Sequence, residues 1–290
     1  MSTELSGVLL INKPTGKTSH DIVGAVRRLY HTRRVGHTGT LDPMATGVLV
    51  ILVGRAAKAA EYLSVKSKSY RAVMRLGLTT DTEDTTGKTL TVSGDIPPPD
   101  RVCKVAHSFV GEIMQTPPMY SALKVNGQKL CDLARKGKQV ERQPRPITIY
   151  QLECLEFSGT TAKLLVHCSK GTYIRTLCKD IGQSLGCGGC MASLCRVTAG
   201  AYTMEEAVAL ETLLETEEPA QYLRPVDSLF IQYGAITLTE NQEKRCRNGN
   251  SFSVQLPDGT YRAYGKNGEF LMLAKVEDNI MSTIKSFFEV

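Results

Sequence analysis

A chain of 290 residues, 42% hydrophobic and 22% charged with a net charge of +6, can bury a full core and belongs to the ordinary soluble class, with room for one large domain and a smaller one. No apolar run approaches the roughly 20 residues needed to cross a bilayer, and the run 7–11 (GVLLI), followed at once by Asn12-Lys13-Pro14, is too short for a secretory leader. Nine scattered cysteines, an odd number, fit reduced thiols in the cytoplasm better than a disulfide framework.

The first expected element is a strand over about Gly7–Asn12, which leads through the turn NKPTGKTS into a helix. Ser19 suits its N-cap and Asp21 its positive first turn, while Ile22, Val23, Val26 and Leu29 recur at helical spacing. The apolar run 48–53 (VLVILV) reads as a buried strand ended by Gly54, with a short helix near Ala56–Leu63 after it. In SYRAVMRLGL (69–78), Tyr70, Ala72, Met74 and Leu76 alternate with Arg71, Val73 and Arg75, the pattern of a half-buried strand with a basic outer face. TTDTEDTTG is a polar turn, and IPPPD introduces a helix near Arg101–Phe109. Residues 115–145, rich in Pro, Gly and Lys, predict an exposed basic insertion with a short helix near Gln128–Lys136. Strands over 147–157 and 162–169 precede a helix over 171–186 closed by Gly186, and TMEEAVALETL (203–213) predicts another helix. The C-terminal part predicts a helix near Asn241–Arg247 and several strands, one pair joined at Pro257-Asp258-Gly259.

Chemistry concentrates in residues 36–47, GHTGTLDPMATG. Asp42 is the one carboxylate there, among glycines that permit close backbone approach, a proline that fixes φ, and threonine hydroxyls able to donate hydrogen bonds. Those residues alone fit two readings: a constrained nucleophile or general base, and an Asx-type turn in which the acid caps its own backbone. Basic residues gather in three places: Arg27, Arg28, Arg33 and Arg34 with His31 and His37; Lys66, Lys68 and Arg71; and the insertion with Lys124, Lys129, Arg135, Lys136, Lys138, Arg142 and Arg145. Each adjoins a Gly- or Tyr-bearing segment, which favours phosphate contacts over plain solvated faces. Cys187-Gly-Gly-Cys190, with Cys195 beyond it, lacks the second ligand pair of a structural zinc site; it reads as a tight turn with small buried thiols, and no metal is expected.

Four segments, GVLLINKPTGKTSHDIV, GHTGTLDPMATGVL, KSYRA and GTYIRTLCKDIG, together with TPPMYSALKVNGQ and SLCRVTAG, resemble the bacterial tRNA pseudouridine synthase B family over essentially residues 1–230. The resemblance implies an α+β fold: a mixed β-sheet catalytic domain with a central cleft over 1–230, whose insertion at about 115–145 clamps RNA, and a small β-rich, PUA-like RNA-binding domain over 231–290. It implies isomerisation of uridine to pseudouridine at position 55 in the tRNA T-loop, by base flipping, without cofactor or guide RNA, in a monomeric cytoplasmic enzyme.

By the same resemblance Asp42 is the nucleophile and Arg175 the partner that keeps it charged and oriented. Tyr70 stacks on the uracil and takes the C5 proton, Tyr173 packs against the site, Lys13 braces the Asp42 loop, Leu194 walls the base, and His37 fills the space the base vacates. Without the resemblance Arg175 fits an exposed helix position, Tyr70 a core strand and His37 an ordinary satisfied polar residue. The chain departs from the family at Cys131, where an aromatic is usual nearby, and at Cys190–Arg196, where a His and a doubled Arg are usual. Those departures concern secondary RNA contacts and local packing. A non-catalytic RNA chaperone and a subunit of a guide-RNA particle share parts of this pattern. The Asp42, Tyr70 and Arg175 set speaks against the first, and modest length without long charged tails against the second.

Overall fold

The computed structural model describes residues 5–63 and 67–288; Lys66, one member of a basic cluster, lies outside them. A ten-stranded mixed sheet forms the frame, running Val208–Ala209, Gly7–Lys13, Thr46–Val53, Gly189–Ala199, Lys68–Leu76, Thr161–Cys168, Arg145–Ser158, Gly111–Gln115, with Val35–His37 and Tyr202–Thr203 paired at its side. Gly7–Lys13 and Thr46–Val53 are apolar almost without break because both their faces are covered. Leu9, Ile11, Leu49 and Ile51 enter the main core, while Val8, Leu10, Val48, Val50 and Leu52 meet Phe230, Leu273 and Phe287 on the other side. Lys68–Leu76 instead alternates, burying Tyr70, Ala72, Met74 and Leu76 and exposing Arg71 and Arg75, since water covers its outer face.

A five-stranded sheet, in the order Gly234–Thr237, Gly259–Tyr264, Phe270–Glu277, Ile280–Ser286, Phe252–Ser253, packs against the first through those aromatic contacts. Charged links reinforce the junction: Arg55 meets Glu269 at 3.4 Å and Lys285 meets Glu61 at 2.9 Å.

Several local expectations need correction. The helix Ser19–Leu29 is capped by Thr18, whose hydroxyl accepts from the Asp21 N–H while the Asp21 carboxylate accepts from the Thr18 N–H. Ser19 is buried, and its hydroxyl exchanges hydrogen bonds with the backbone of Leu41 (2.9 and 3.2 Å). The short helix near 56–63 divides into a 3-10 turn, Gly54–Ala59, and a single α-turn, Ala60–Leu63. Residues 203–213 are not one helix: the Glu206 carboxylate accepts from the Thr203 N–H and closes a turn, Val208–Ala209 pairs with Ile11–Asn12, and the helix spans only Leu210–Glu215. In the insertion a hairpin, Lys124–Val125 with Gln128–Lys129, precedes the helix Leu130–Arg135. Asn126 and Gly127, both with positive φ, supply the two-residue turn that the hairpin needs. Pro257-Asp258-Gly259 does not join a strand pair either, because Phe252–Ser253 pairs with Ile280–Ser286 rather than with the strand that begins at Gly259.

Gly47 shows how closely the loop before Thr46–Val53 is packed. Its φ is +99°, and a Cβ there would lie 2.2 Å from the Arg196 carbonyl oxygen. Gly47→Ala is therefore expected to lower unfolding free energy by about 2 kcal/mol or more, read from urea denaturation; an unchanged midpoint would contradict the packing described.

Candidate active site

Asp42 ends a loop entered from Val35–His37 and left through Thr46–Val53, and its carboxylate is half-buried. Arg175 stands in the first turn of the helix Ile174–Leu185, 5% exposed, and spans the carboxylate at two points: Nε donates to Oδ2 at 2.8 Å and Nη2 to Oδ1 at 3.2 Å. This two-point geometry suits a planar guanidinium and not an ammonium. Arg175 also donates through Nη1 to the Thr82 carbonyl (2.9 Å) and through Nη2 to the Tyr120 carbonyl (2.7 Å). The root of the basic insertion and the 80–87 turn are thereby tied to the same side chain.

The 80–87 turn holds a residue that the sequence reading passed over. Asp84 is 6% exposed, and its Oδ2 lies 3.9 Å from Arg175 Nε. Its other oxygen accepts from the Thr82 hydroxyl, the Thr86 N–H and the Thr86 hydroxyl. A second anion thus backs the guanidinium, inside a stretch whose composition signalled only a polar turn. Neighbouring Glu83, with φ of 64°, accepts from Thr176 (2.6 Å) and Lys179 (2.8 Å) and clamps the turn to the Arg175 helix. Gln115 was missed likewise: its amide accepts from the Tyr173 N–H (2.8 Å) and donates to the Tyr173 carbonyl (3.1 Å), fixing the residue ahead of that helix.

Lys13 is fully buried, and its ammonium donates to the carbonyls of Pro14 (2.8 Å), Lys17 (2.6 Å) and Pro43 (3.2 Å), so it braces the loop immediately after Asp42. Burial pulls its pKa down to about 8, with Asp42 opposing and Arg196 adding to the fall. Tyr70 is 7% exposed; burial pushes its phenol up while the Arg196 guanidinium pulls the other way. Leu194 is buried on Gly189–Ala199, in register with Ala72, and Arg196 stands opposite Tyr70 on the same strand. Burial also raises the Tyr173 phenol. The charge of Asp42 opposes the fall in the Lys13 pKa and adds slightly to the rise at Tyr70 and Tyr173. His37 ends the strand Val35–His37, at the start of the loop. Its Nδ1 accepts from the Gly39 N–H at 3.3 Å, and burial, then His20 and Arg196, lower its pKa, which favours the neutral ring.

Cys187 and Cys190 are buried free thiols flanking Gly188 at positive φ, a tight turn as expected. Among the described residues no group of three or more His, Cys, Asp or Glu could hold a metal ion, and no helix is long and apolar enough to cross a membrane.

The family model for the N-terminal domain of TruB family pseudouridylate synthases matches residues 27–174, and that for the C-terminal domain of tRNA pseudouridylate synthase B matches residues 175–230. The chain is 42% identical to a tRNA pseudouridine synthase B of Clostridium kluyveri, over 98% of this chain and 100% of that one. The chain belongs to the TruB family. Another member, the tRNA pseudouridine synthase B of Dechloromonas aromatica, is 45% identical over 88% of this chain and 86% of its own. Solved structures share the fold at lower identity. A chain of an H/ACA ribonucleoprotein bound to a substrate RNA containing 2′-deoxyuridine matches with a TM-score of 0.72 at 22% identity, covering 98% of this chain and 85% of that one. A chain of a Cbf5-Nop10-Gar1 complex matches with a TM-score of 0.73 at 23% identity, covering 98% and 85%. In this TruB family member the family motifs thus converge on Asp42, with Asp84, Ser19 and Gln115 as supports that spacing did not disclose.

The buried Lys13 yields opposite pH signatures for activity and stability. As pH rises through about 8 its ammonium loses a proton and one of its three donor bonds to loop carbonyls, so the single-turnover rate should fall with a midpoint near 8. Between that value and its ordinary 10.5 the unfolded chain still holds a proton that the folded chain has released, so this group makes stability rise with pH across the same window. Lys13→Met should be slower and lack the alkaline limb; a wild-type limb that appears only near the ordinary lysine value would contradict the assignment.

Proposed function

We propose that this chain isomerises uridine to pseudouridine at position 55 of the tRNA T-loop, with Asp42 as nucleophile and no guide RNA. The observation that carries the reading is the two-point contact of buried Arg175 with Asp42, which fixes the orientation of the carboxylate. Membership of the TruB family and the names of its tRNA-modifying relatives support the substrate class.

The reaction breaks the bond from C1′ to N1, turns the base, and joins C1′ to C5. Nothing is oxidised and no group enters or leaves, so the protein's task is charge stabilisation and positioning, on the order of 8 kcal/mol of barrier reduction or more. Attack at C1′ and attack at C6 both use the ionised Asp42. Tyr70 offers a ring face on which the separated uracil stacks and an oxygen toward the C5 proton, Leu194 offers an apolar wall, and Tyr173 packs against the site. Lys13 holds the loop in place.

Turning the uridine out costs a few kcal/mol, of which stacking on one aromatic returns roughly 1–3 kcal/mol. Neutral His37 enters the emptied stack, and phosphate contacts contribute the rest. Arg27, Arg28, Arg33 and Arg34, together with Lys124, Lys129, Lys136 and Lys138 of the insertion, are exposed for that purpose. Residues 1–230 act as the catalytic domain, 115–145 as the clamp and 231–290 as an RNA-binding appendage, in a monomer working in the cytoplasm.

Asp42→Asn should lower pseudouridine formation on an unmodified tRNA transcript, without guide RNA, by roughly 1,000-fold or more, while tRNA affinity stays within a few-fold. Retained turnover in that variant would refute the reading.

A further inference from the structure

Arg196 is the largest fully buried side chain, 1% exposed, and it is a cation. Its Nε donates to the Val48 carbonyl (2.8 Å) and its Nη2 to the Gly39 carbonyl (3.1 Å), one on each side of Asp42. Its Nη1 is buried and has no hydrogen-bond partner. Among the described residues Arg196 forms no ion pair, so a guanidinium is held out of water with neither a counter-charge nor a full set of acceptors. That is costly unless an anion completes the site.

The surroundings say where such an anion would enter. The three atoms nearest to the position of a Cβ on Gly39 are Lys68 Cε at 3.4 Å, Arg196 Nη1 at 3.5 Å and Lys68 Nζ at 4.0 Å. A residue without a side chain thus leaves its open face toward two cations, Lys68 and Arg196. The charges press on one another: Arg196 pulls down the pKa of Lys68 and of His37 nearby, in each case adding to the effect of burial. Lys13 feels the same cation.

We propose that Gly39, Lys68 and Arg196 form a phosphodiester subsite, in which a non-bridging oxygen of a linkage flanking the target uridine lies over Gly39 between the Lys68 ammonium and the Arg196 Nη1 N–H. The subsite deepens the reading of the site as one acting on RNA, and rests on it. Gly39 lies in the same loop as Asp42, three residues ahead, so the linkage held is one adjoining the attacked nucleotide and not a distant part of the RNA. Lys68 swings aside as the oxygen enters and then closes on it. The orphaned N–H of Arg196 gains an acceptor.

Gly39→Ala provides a test that leaves the fold intact. Gly39 has no positive φ, and the added methyl would meet its neighbours at ordinary contact distances, yet it occupies the way in. Dissociation constants are measured for wild type, Gly39→Ala and Lys68→Met with T-arm stem-loop RNAs carrying either natural linkages or one neutral methylphosphonate on either side of the target uridine. Wild type should lose about tenfold in affinity for one of the two methylphosphonate RNAs. Both variants should bind natural RNA about as weakly as that, lose nothing further with the neutral linkage, and show a salt dependence shallower by about one counterion. Methylphosphonate and Gly39→Ala losses that multiply, or a wild type indifferent to both neutral linkages, would overturn the subsite. Because affinity is read rather than turnover, either result leaves the role of Asp42 to be decided separately by Asp42→Asn.

Discussion

The site is organised around one guanidinium. Arg175 makes four hydrogen bonds, two to Asp42 and one each to the carbonyls of Thr82 and Tyr120, and a second carboxylate, Asp84, lies behind it. Three stretches far apart in sequence, the Asp42 loop, the 80–87 turn and the root of the insertion, are thereby given one common reference point. On the proposed mechanism the carboxylate must be correctly placed before substrate arrives, and a buried two-point partner provides that placement. The supports around that partner follow from its burial: a guanidinium out of water must have its N–H groups met, and the turn that meets them is itself clamped to the helix by Glu83.

The Asp42 loop is held from its other side by backbone contacts. Lys13 reaches Pro43, Arg196 reaches Gly39 and Val48, and the Ser19 hydroxyl pairs with Leu41. Lys13 and Arg196 are both fully buried cations, so charge-assisted hydrogen bonds to the loop's carbonyls add to the apolar packing of Leu41 and Ala45. Such an arrangement leaves positive potential around the Asp42 loop, which suits the proposed RNA substrate. The same preorganisation accounts for the tolerance of strain at Gly47, where backbone passes so close to Arg196 that no side chain fits.

Much of this was legible in the sequence, for identifiable reasons. The alternation of Tyr70, Ala72, Met74 and Leu76 gave a strand and its buried face, because period two has one structural meaning. The unbroken apolar run after Gly47 was readable as a buried strand, although only the second sheet explains why neither face is polar. The Asp42 and Arg175 motifs were distinctive enough to bring family and fold with them. What escaped was set by contacts between distant residues. Asp84 sits in a run of Thr and Asp that reads as any polar turn, and Gln115 acts through the backbone of Tyr173, which no local pattern reveals. Val208–Ala209 left helical periodicity because a parallel strand at Ile11–Asn12 claimed its hydrogen bonds. Arg196 stood out only as half of a missing pair, whereas its burial and its unmet N–H are properties of the folded site alone.

In the proposed reaction a carboxylate held by Arg175 meets a nucleoside extruded from its RNA. A crystal structure of the chain bound to a T-arm stem-loop tests this directly. The account expects the target pyrimidine swung out beside the Tyr70 ring, with a carboxylate oxygen of Asp42 within about 3.5 Å of the sugar C1′ or the ring C6. A uridine still stacked in its loop, or an Asp42 separated from it by the width of another side chain, would contradict the account.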